Sequence, residues 1–357
     1  MDSKAKRLMA AKNKFPLWIF GIVFVIASLL PLISKKLSPA RASLSIRDNA
    51  GTSSLITQGE TLVAVFQDGK VAAWDWNTLS QPLWQFSAGS DRLVMLDDSR
   101  AAVITRTGRK VLIVYDVKQG KKLSEIPVGW EDQEVWLVQS PDKKILAIAR
   151  INPDKEKHTL YEFMTIDPAK DNPDPSVSID IPTAEKRLIA FAVSNDKKVL
   201  AVGSKEKHGW LIEVDLEQGK TVLDKEYDQT DEFTTAAFVP DGSRAFLTNR
   251  NGSVYGIDGA TGDIKSAYTV LKPGEKNPVT NDGSSQNVTI SAEGRFAAAV
   301  MIEHKVAVWD IQTGNLVFQV GPGHKLTGPI VFSPDGSLLA TSDKRASGSI
   351  QIWQIKK

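Results

Sequence analysis

One unit recurs seven times along the chain, and this repetition limits the possible folds more than any other feature of the sequence. Each unit has a turn, a short apolar strand, a second turn, and a strand whose end is aromatic or aliphatic and is usually followed by Asp. These closing strands are KVAAWD (70–75), KVLIVYD (110–116), TLYEFMTID (159–167), GWLIEVD (209–215), SVYGID (253–258), KVAVWD (305–310) and SIQIWQ (349–354). Their last residues lie 41 to 52 residues apart, which is the period of four-stranded blades. We therefore predict an all-β fold, a seven-bladed β-propeller over residues 42–357.

Turn-forming residues separate the strands. Pro-Asp-Gly at 240–242 and 334–336 and Asn-Asp-Lys at 195–197 reverse the chain between the first two strands of a unit. The last unit has only three strands, so its fourth strand must come from elsewhere. We predict that residues 42–47 (ASLSIR) pair with this last blade and close the ring, which removes an exposed sheet edge.

An apolar segment near the amino terminus predicts membrane attachment. Residues 15–33 (FPLWIFGIVFVIASLLPLI) contain no charge and are close to the length of about 20 residues that a helix needs to cross a bilayer. We predict a basic tail (1–14), an uncleaved signal-anchor helix (15–34) that contacts the lipid bilayer through Phe15–Ile33, and a linker (35–41). The alternative is a signal peptide cleaved after Ala42, but this alternative places charged residues in a region that is normally neutral.

Charge around the apolar segment predicts its orientation. Residues 1–41 contain eight basic residues and one acidic residue, whereas the whole chain has a net charge of +2, so the rest of the chain is mildly acidic. Five basic residues precede the segment and three follow it, which favours a cytoplasmic amino terminus and a propeller on the translocated, periplasmic or extracytoplasmic side. A basic excess confined to one end disfavours a nucleic-acid-binding domain.

The repeats resemble the WD-repeat family of β-propellers, most closely in the last unit. The motifs there are Gly323-His324, Phe332-Ser333-Pro334-Asp335-Gly336, Leu339-Ala340-Thr341 and Ile352-Trp353. The family's buried network of His, Ser or Thr, Asp and Trp is incomplete, since Ser347 stands at the position of the turn Asp. Related prokaryotic propellers share this degeneracy. The resemblance thus implies a prokaryotic-type member of the family, and the apolar segment 15–33 predicts that this member is membrane-anchored.

The resemblance covers residues 42–357 and implies a structural role for the repeated residues. These residues are Asp68, Trp74, Asp75, Trp309, Asp310, His324, Asp335 and Trp353.

Motifs for catalysis or for cofactor binding are missing from the sequence. Without cysteine, the chain has no disulfide, thiolate metal site, iron–sulfur cluster or cysteine nucleophile. The four histidines are scattered, and neither a nucleophile elbow nor a phosphate-binding loop is present. We predict no catalytic residue, no metal site and no cofactor. Catalytic side chains contributed by several blades would nevertheless be invisible in a linear sequence.

Candidate partner-binding residues lie on loops that are longer than the repeat requires. Trp130 and Glu131 lie between blades two and three, Lys155 and Lys157 extend the hairpin of blade three, and Lys272 and Lys276 join blades five and six. Insertions in repeat proteins commonly form the binding surface. The alternatives are a Trp130 ring folded back on the propeller and loops that only contact water.

These features lead to three hypotheses of function. The first is a membrane-anchored, non-catalytic protein–protein interaction subunit of a membrane complex, with other proteins of that complex as partners. The alternative is an exported propeller enzyme, a hydrolase, lactonase or quinone-cofactor oxidoreductase, with a site at the axial mouth; this alternative rests on the fold alone. A sensor that signals through the helix is the weakest, because residues 1–14 are too short to form a signalling domain.

Overall fold

The computed structural model describes strands and turns between residues 40 and 355. The described ranges are 40–44, 50–90, 92–105, 108–131, 133–153, 158–166, 177–182, 186–206, 208–249, 253–268, 288–300, 305–320, 328–342 and 349–355. Within these ranges the regular structure is entirely β-strand, arranged as seven antiparallel sheets of four strands each. The predicted seven-bladed propeller is therefore confirmed.

The first four blades follow one another along the chain. Blade 1 contains β2 (Thr52–Gln58), β3 (Thr61–Phe66), β4 (Lys70–Asp75) and β5 (Trp84–Ser87). Blade 2 contains β6 (Leu93–Met95), β7 (Arg100–Ile104), β8 (Lys110–Asp116) and β9 (Lys121–Gly129). Blade 3 contains β10 (Glu134–Gln139), β11 (Leu146–Pro153), β12 (His158–Ile166) and β13 (Val177–Pro182). Blade 4 contains β14 (Lys186–Val193), β15 (Lys198–Lys205), β16 (His208–Asp215) and β17 (Lys220–Asp231).

Two further blades follow in order, and the seventh combines both ends of the propeller. Blade 5 contains β18 (Phe233–Phe238), β19 (Arg244–Asn249), β20 (Val254–Asp258) and β21 (Ile264–Tyr268). Blade 6 contains β22 (Val288–Ile290), β23 (Phe296–Val300), β24 (Val306–Asp310) and β25 (Leu316–Val320). Blade 7 contains β26 (Ile330–Phe332), β27 (Leu338–Ser342), β28 (Ile350–Gln354) and β1 (Ala40–Leu44).

The strand β1 closes the ring, as predicted. It pairs antiparallel with β28, so that Ala42 lies opposite Ile352 and Leu44 lies opposite Ile350. The strand begins two residues earlier than the predicted segment 42–47, because a bulge lets Ala40 pair with Trp353. Residues 45–47 of that segment lie outside the described residues. The first strands of the seven blades contact one another in sequence, and β26 meets β2.

Apolar side chains between the blades form the core. Seven separate clusters of buried residues are present in the described part, and each joins two neighbouring blades. Tryptophans of the third strands pack against the preceding blade: Trp74 joins blade 1 to blade 7, Trp309 joins blade 6 to blade 5, and Trp353 joins blade 7 to blade 6. Stability is therefore spread around the ring, because each blade buries its two faces against its neighbours.

The chain divides into two units, Met1–Pro39 and Ala40–Lys357. The predicted tail (1–14) and signal-anchor helix (15–34) lie outside the described residues, as does most of the linker (35–41). Within the described ranges, no helix has the length and apolar character needed to cross a membrane.

Candidate functional site

The alternation of strand direction gives the propeller two faces. We letter the four strands of each blade a to d in chain order, with β1 as strand d of blade 7. The ab face is the end of the propeller that carries the turns between strands a and b and between strands c and d. In blade 1 these turns contain Gly59 and residues 76–83. We name as the bc face the opposite end, with the turns between second and third strands and the connections between blades, such as 67–69 and 88–92. Because β1 is the fourth strand of blade 7, it starts at the ab face and ends at the bc face.

Aspartates that end the third strands cap the turns of the ab face. In five blades the carboxylate Oδ1 accepts hydrogen bonds from the backbone N–H groups two and three residues later. These aspartates are Asp75, Asp116, Asp215, Asp258 and Asp310. The bond from the backbone N–H of Thr261 lowers the pKa of Asp258, and the bond from Thr313 lowers the pKa of Asp310. The carboxylates are thus occupied as caps of turns.

Other residues singled out by the repeat also take local positions. Asp68 accepts a hydrogen bond from the backbone N–H of Lys70 at 3.0 Å, and Asp335 accepts one from Ser337 at 3.0 Å. Trp74, Trp309 and Trp353 are buried. The remaining repeat residue, His324, lies outside the described residues.

An axial channel lies inside the ring of first strands and opens at the ab face. Its volume is about 770 Å³. Half-buried aliphatic side chains from five of these strands form much of its wall: Ile56, Val94, Leu137, Val138, Ile290 and Val331. Among the described residues, no group of three or more His, Asp or Glu side chains is placed to hold a metal ion. The wall therefore offers few groups for acid–base chemistry, with Asp142 and Lys143 at its mouth.

Trp130 lies on the bc face and presents its ring to solvent. Its side chain is 63% exposed, the largest value among the exposed large hydrophobic residues of the described part. Of the two interpretations of this residue, the structure therefore shows an exposed ring and not a ring folded back on the propeller. Glu131, the next residue, is also exposed. Trp is one of the residue types that most often dominate the binding free energy of interfaces, which makes an exposed Trp a candidate anchor for a partner protein.

The loop around Trp130 is held in place by its own hydrogen bonds. The backbone N–H of Trp130 donates to Oε1 of Gln133 at 3.0 Å, and the backbone N–H of Gln133 donates to the carbonyl of Trp130 at 3.2 Å. Gln133 is buried, with 7% of its surface exposed. A β-carbon on Gly129 would lie 2.9 Å from Gln133 Oε1, so a larger residue at this position would require the Gln133 amide to shift. The backbone of this loop is therefore organised before any partner binds.

An arginine completes the exposed surface. The Cζ atom of Arg109 lies 5.1 Å from the centre of the Trp130 ring, a cation–π distance. Arg109 belongs to the turn between β7 and β8, whereas Trp130 follows β9, so the pair joins two segments of the bc face. Trp and Arg are the residue types that most often dominate the binding free energy of protein interfaces. We call Arg109, Trp130 and Glu131 the Trp130 surface.

The other four candidates, Lys155, Lys157, Lys272 and Lys276, lie outside the described residues. The strands that flank them end at the bc face: β11 ends at Pro153 and β12 begins at His158, while β21 ends at Tyr268 and β22 begins at Val288. Both long segments therefore leave from and return to the face that carries Trp130.

Sequence reasoning missed Arg109, Gln133 and Lys143. No local pattern links Arg109 to Trp130, because their contact depends on the pairing of β8 with β9. Lys143 did leave a signal, since the turn Pro141-Asp142-Lys143 carries Lys where Pro240-Asp241-Gly242 carries Gly.

Comparison with known proteins gives no assignment: no protein-family model matches the chain, and no curated protein matches it. The structure by itself shows the fold, a seven-bladed β-propeller with four-stranded antiparallel blades.

Proposed function

We propose that this chain is a membrane-anchored, WD-repeat-like propeller that acts as a non-catalytic protein–protein interaction subunit of a membrane complex. The observation that carries the proposal is the Trp130 surface. Its ring is 63% exposed on a loop fixed by hydrogen bonds, so that binding a partner costs little conformational entropy. The predominantly aliphatic channel wall favours this function over an enzyme with a site at the axial mouth.

The chain enters the propeller at the end opposite the Trp130 surface. The residues that precede Ala40 join the propeller where β1 starts, at the ab face. The apolar segment 15–33 would tether the propeller to the bilayer, with its amino terminus in the cytoplasm and the propeller on the translocated side. The Trp130 surface lies on the bc face and is left for the other proteins of the complex.

Replacing Trp130 with Ala is expected to weaken partner binding about 30-fold or more, because an exposed Trp at the centre of an interface contributes about 2 kcal/mol or more. The measurement is quantitative mass spectrometry of the membrane proteins that copurify with the tagged full-length chain from its native membranes. The Arg109→Ala variant is expected to weaken partner binding less, about tenfold, because Trp130 keeps most of its contact area with the partner.

The matched control is Leu123→Ala. Leu123 is also exposed, at 50%, and lies in β9 of the same blade but near the ab face. Its variant is expected to retain the partners at the wild-type level. Equal recovery of partners by Trp130→Ala and wild type, with circular dichroism showing both to be folded, would remove the Trp130 surface from the interface.

A further inference from the structure

The mouth of the axial channel contains the ammonium group of a half-buried lysine, Lys143. Lys143 lies in the turn between β10 and β11 of blade 3, and its side chain crosses to blade 1. There Nζ donates hydrogen bonds to the carbonyl oxygen of Thr57 and to Oε1 of Gln58, the latter at 2.7 Å. Blades 1 and 3 are not neighbours in the ring, so this side chain lies over the inner end of blade 2.

Within the described residues, this ammonium group has no carboxylate partner at ion-pair distance. Both of its hydrogen bonds go to neutral oxygens. The carboxylate of Asp98, whose charge acts on Lys143, is linked to it through the Gln58 amide, which donates to Asp98 Oδ1 at 2.9 Å. Burial lowers the pKa of Lys143, and Asp98 partly offsets this effect. An anion is the partner that best stabilises a cation partly withdrawn from water, and the two neutral oxygens leave room for one here.

The backbone at Lys143 is also unusual for a residue with a β-carbon. Its φ of 62° lies in the left-handed region that favours glycine. Glycine occupies the corresponding turn position in blades 5, 6 and 7: Gly242, Gly294 and Gly336. In blade 4 the position is occupied by Lys197, whose ammonium lies 3.7 Å from Glu217 on the surface. Only in blade 3, among these five turns, does the strained residue aim a cation at the channel.

We propose that the axial channel is a binding site for an amphiphile with an anionic head group, whose apolar body occupies the channel and whose head group pairs with the Lys143 ammonium. A volume of about 770 Å³ falls within the range of small-molecule sites, about 300–1,000 Å³. The half-buried aliphatic side chains of the wall suit a hydrocarbon chain or ring system. The head group would supply the negative charge that Lys143 lacks and would offset its strained backbone.

The test is photo-crosslinking of the full-length chain in its native membranes with a twelve-carbon carboxylate that carries a diazirine near the end of its chain. We expect labelled peptides from the first strands of the blades, among them β2, β10 and β22. Dodecanoate and dodecyl phosphate should compete for this labelling, whereas dodecanol should not. The anion that competes more strongly for labelling identifies the head group as carboxylate or phosphate.

Variants at matched turn positions decide the role of the cation. Lys143→Met keeps an unbranched side chain that ends at Cε and removes the ammonium group, and it is expected to lower labelling at least about tenfold, because one charge-assisted contact is lost. Lys197→Met makes the same change in the next blade and should label as the wild type does. Lys143→Gly removes the ammonium and relieves the backbone, and an unchanged circular dichroism spectrum and melting temperature of this variant assign its loss of labelling to the missing charge.

Three results would overturn the proposal. The first is labelling of the first strands by the carboxylate at the level given by the corresponding alcohol probe. The second is competition by dodecanol equal to that by the two anions. The third is equal labelling of Lys143→Gly and wild type.

Discussion

Proline at both Ala42 and Ser43 is expected to open the propeller and to destabilise it more than any single substitution. These residues pair with Ile352 and Gln351 of β28. Alternate residues of an edge strand direct their N–H groups toward the neighbouring strand, so two adjacent prolines remove a ladder donor whichever residue provides it. The loss of β1 also leaves the backbone of β28 unpaired along the edge from Ile350 to Trp353. We expect a loss of about 4–6 kcal/mol in the free energy of unfolding.

The measurement is the melting temperature of the full-length chain by circular dichroism, which should fall by roughly 10 °C. The uncovered edge of β28 should also promote dimers by edge pairing, visible in light scattering. The control, Ala42→Val with Ser43→Thr, places two good strand formers at the same positions and should melt as the wild type does. A proline variant whose melting temperature lies within about 2 °C of that of the control would show that the pairing of β1 with β28 does not stabilise the ring.

Trp353→Ala is expected to lower the free energy of unfolding by about 3–5 kcal/mol, the second largest change. The Trp353 ring is 2% exposed and lies 6.0 Å from the ring of Phe318, measured between centroids, so it fills the interface between blades 6 and 7. Its Nε1 donates a hydrogen bond of 2.8 Å to Oγ1 of Thr341. Alanine leaves a cavity between the blades and also leaves the buried hydroxyl of Thr341 without this donor.

Two other variants separate the contributions to this effect. Trp353→Phe keeps an aromatic ring and loses the hydrogen bond, so it should cost about 1–3 kcal/mol. Trp130→Ala removes an exposed ring and should change the free energy of unfolding by less than about 0.5 kcal/mol. Denaturant titrations of the three variants give the comparison. Equal midpoints for Trp353→Ala and Trp130→Ala would contradict the role of Trp353 in joining the blades.

The strands of the propeller were largely predictable because they combine apolar periodicity with a fixed spacing of turns. The predicted strands 70–75 and 110–116 coincide with β4 and β8. The strand β1, which completes blade 7, was predicted to start at Ala42 but starts at Ala40. Its start depends on a bulge opposite Trp353 and not on its own residues. Strand boundaries that depend on the partner strand in this way have no signal in the local sequence.

The candidate site was predictable only in part. Trp130 stood out because an aromatic residue on a connection between blades has no structural role in the repeat. Its exposure, by contrast, depends on Gln133, whose buried amide holds the loop, and on Arg109, which comes from another turn. These contacts join residues that the propeller brings together, so one linear sequence could not show them. The function assigned to this surface stays a prediction that rests on its geometry.

We propose that the chain binds other membrane proteins through its propeller. The most direct test is extraction of the wild-type chain from its own membranes in a gentle detergent, followed by native-gel mass and identification of comigrating proteins. We predict a complex larger than the chain with stoichiometric membrane subunits, and loss of these subunits in Trp130→Ala. A wild-type chain that migrates alone in every gentle detergent would contradict the claim and would direct attention to the axial channel.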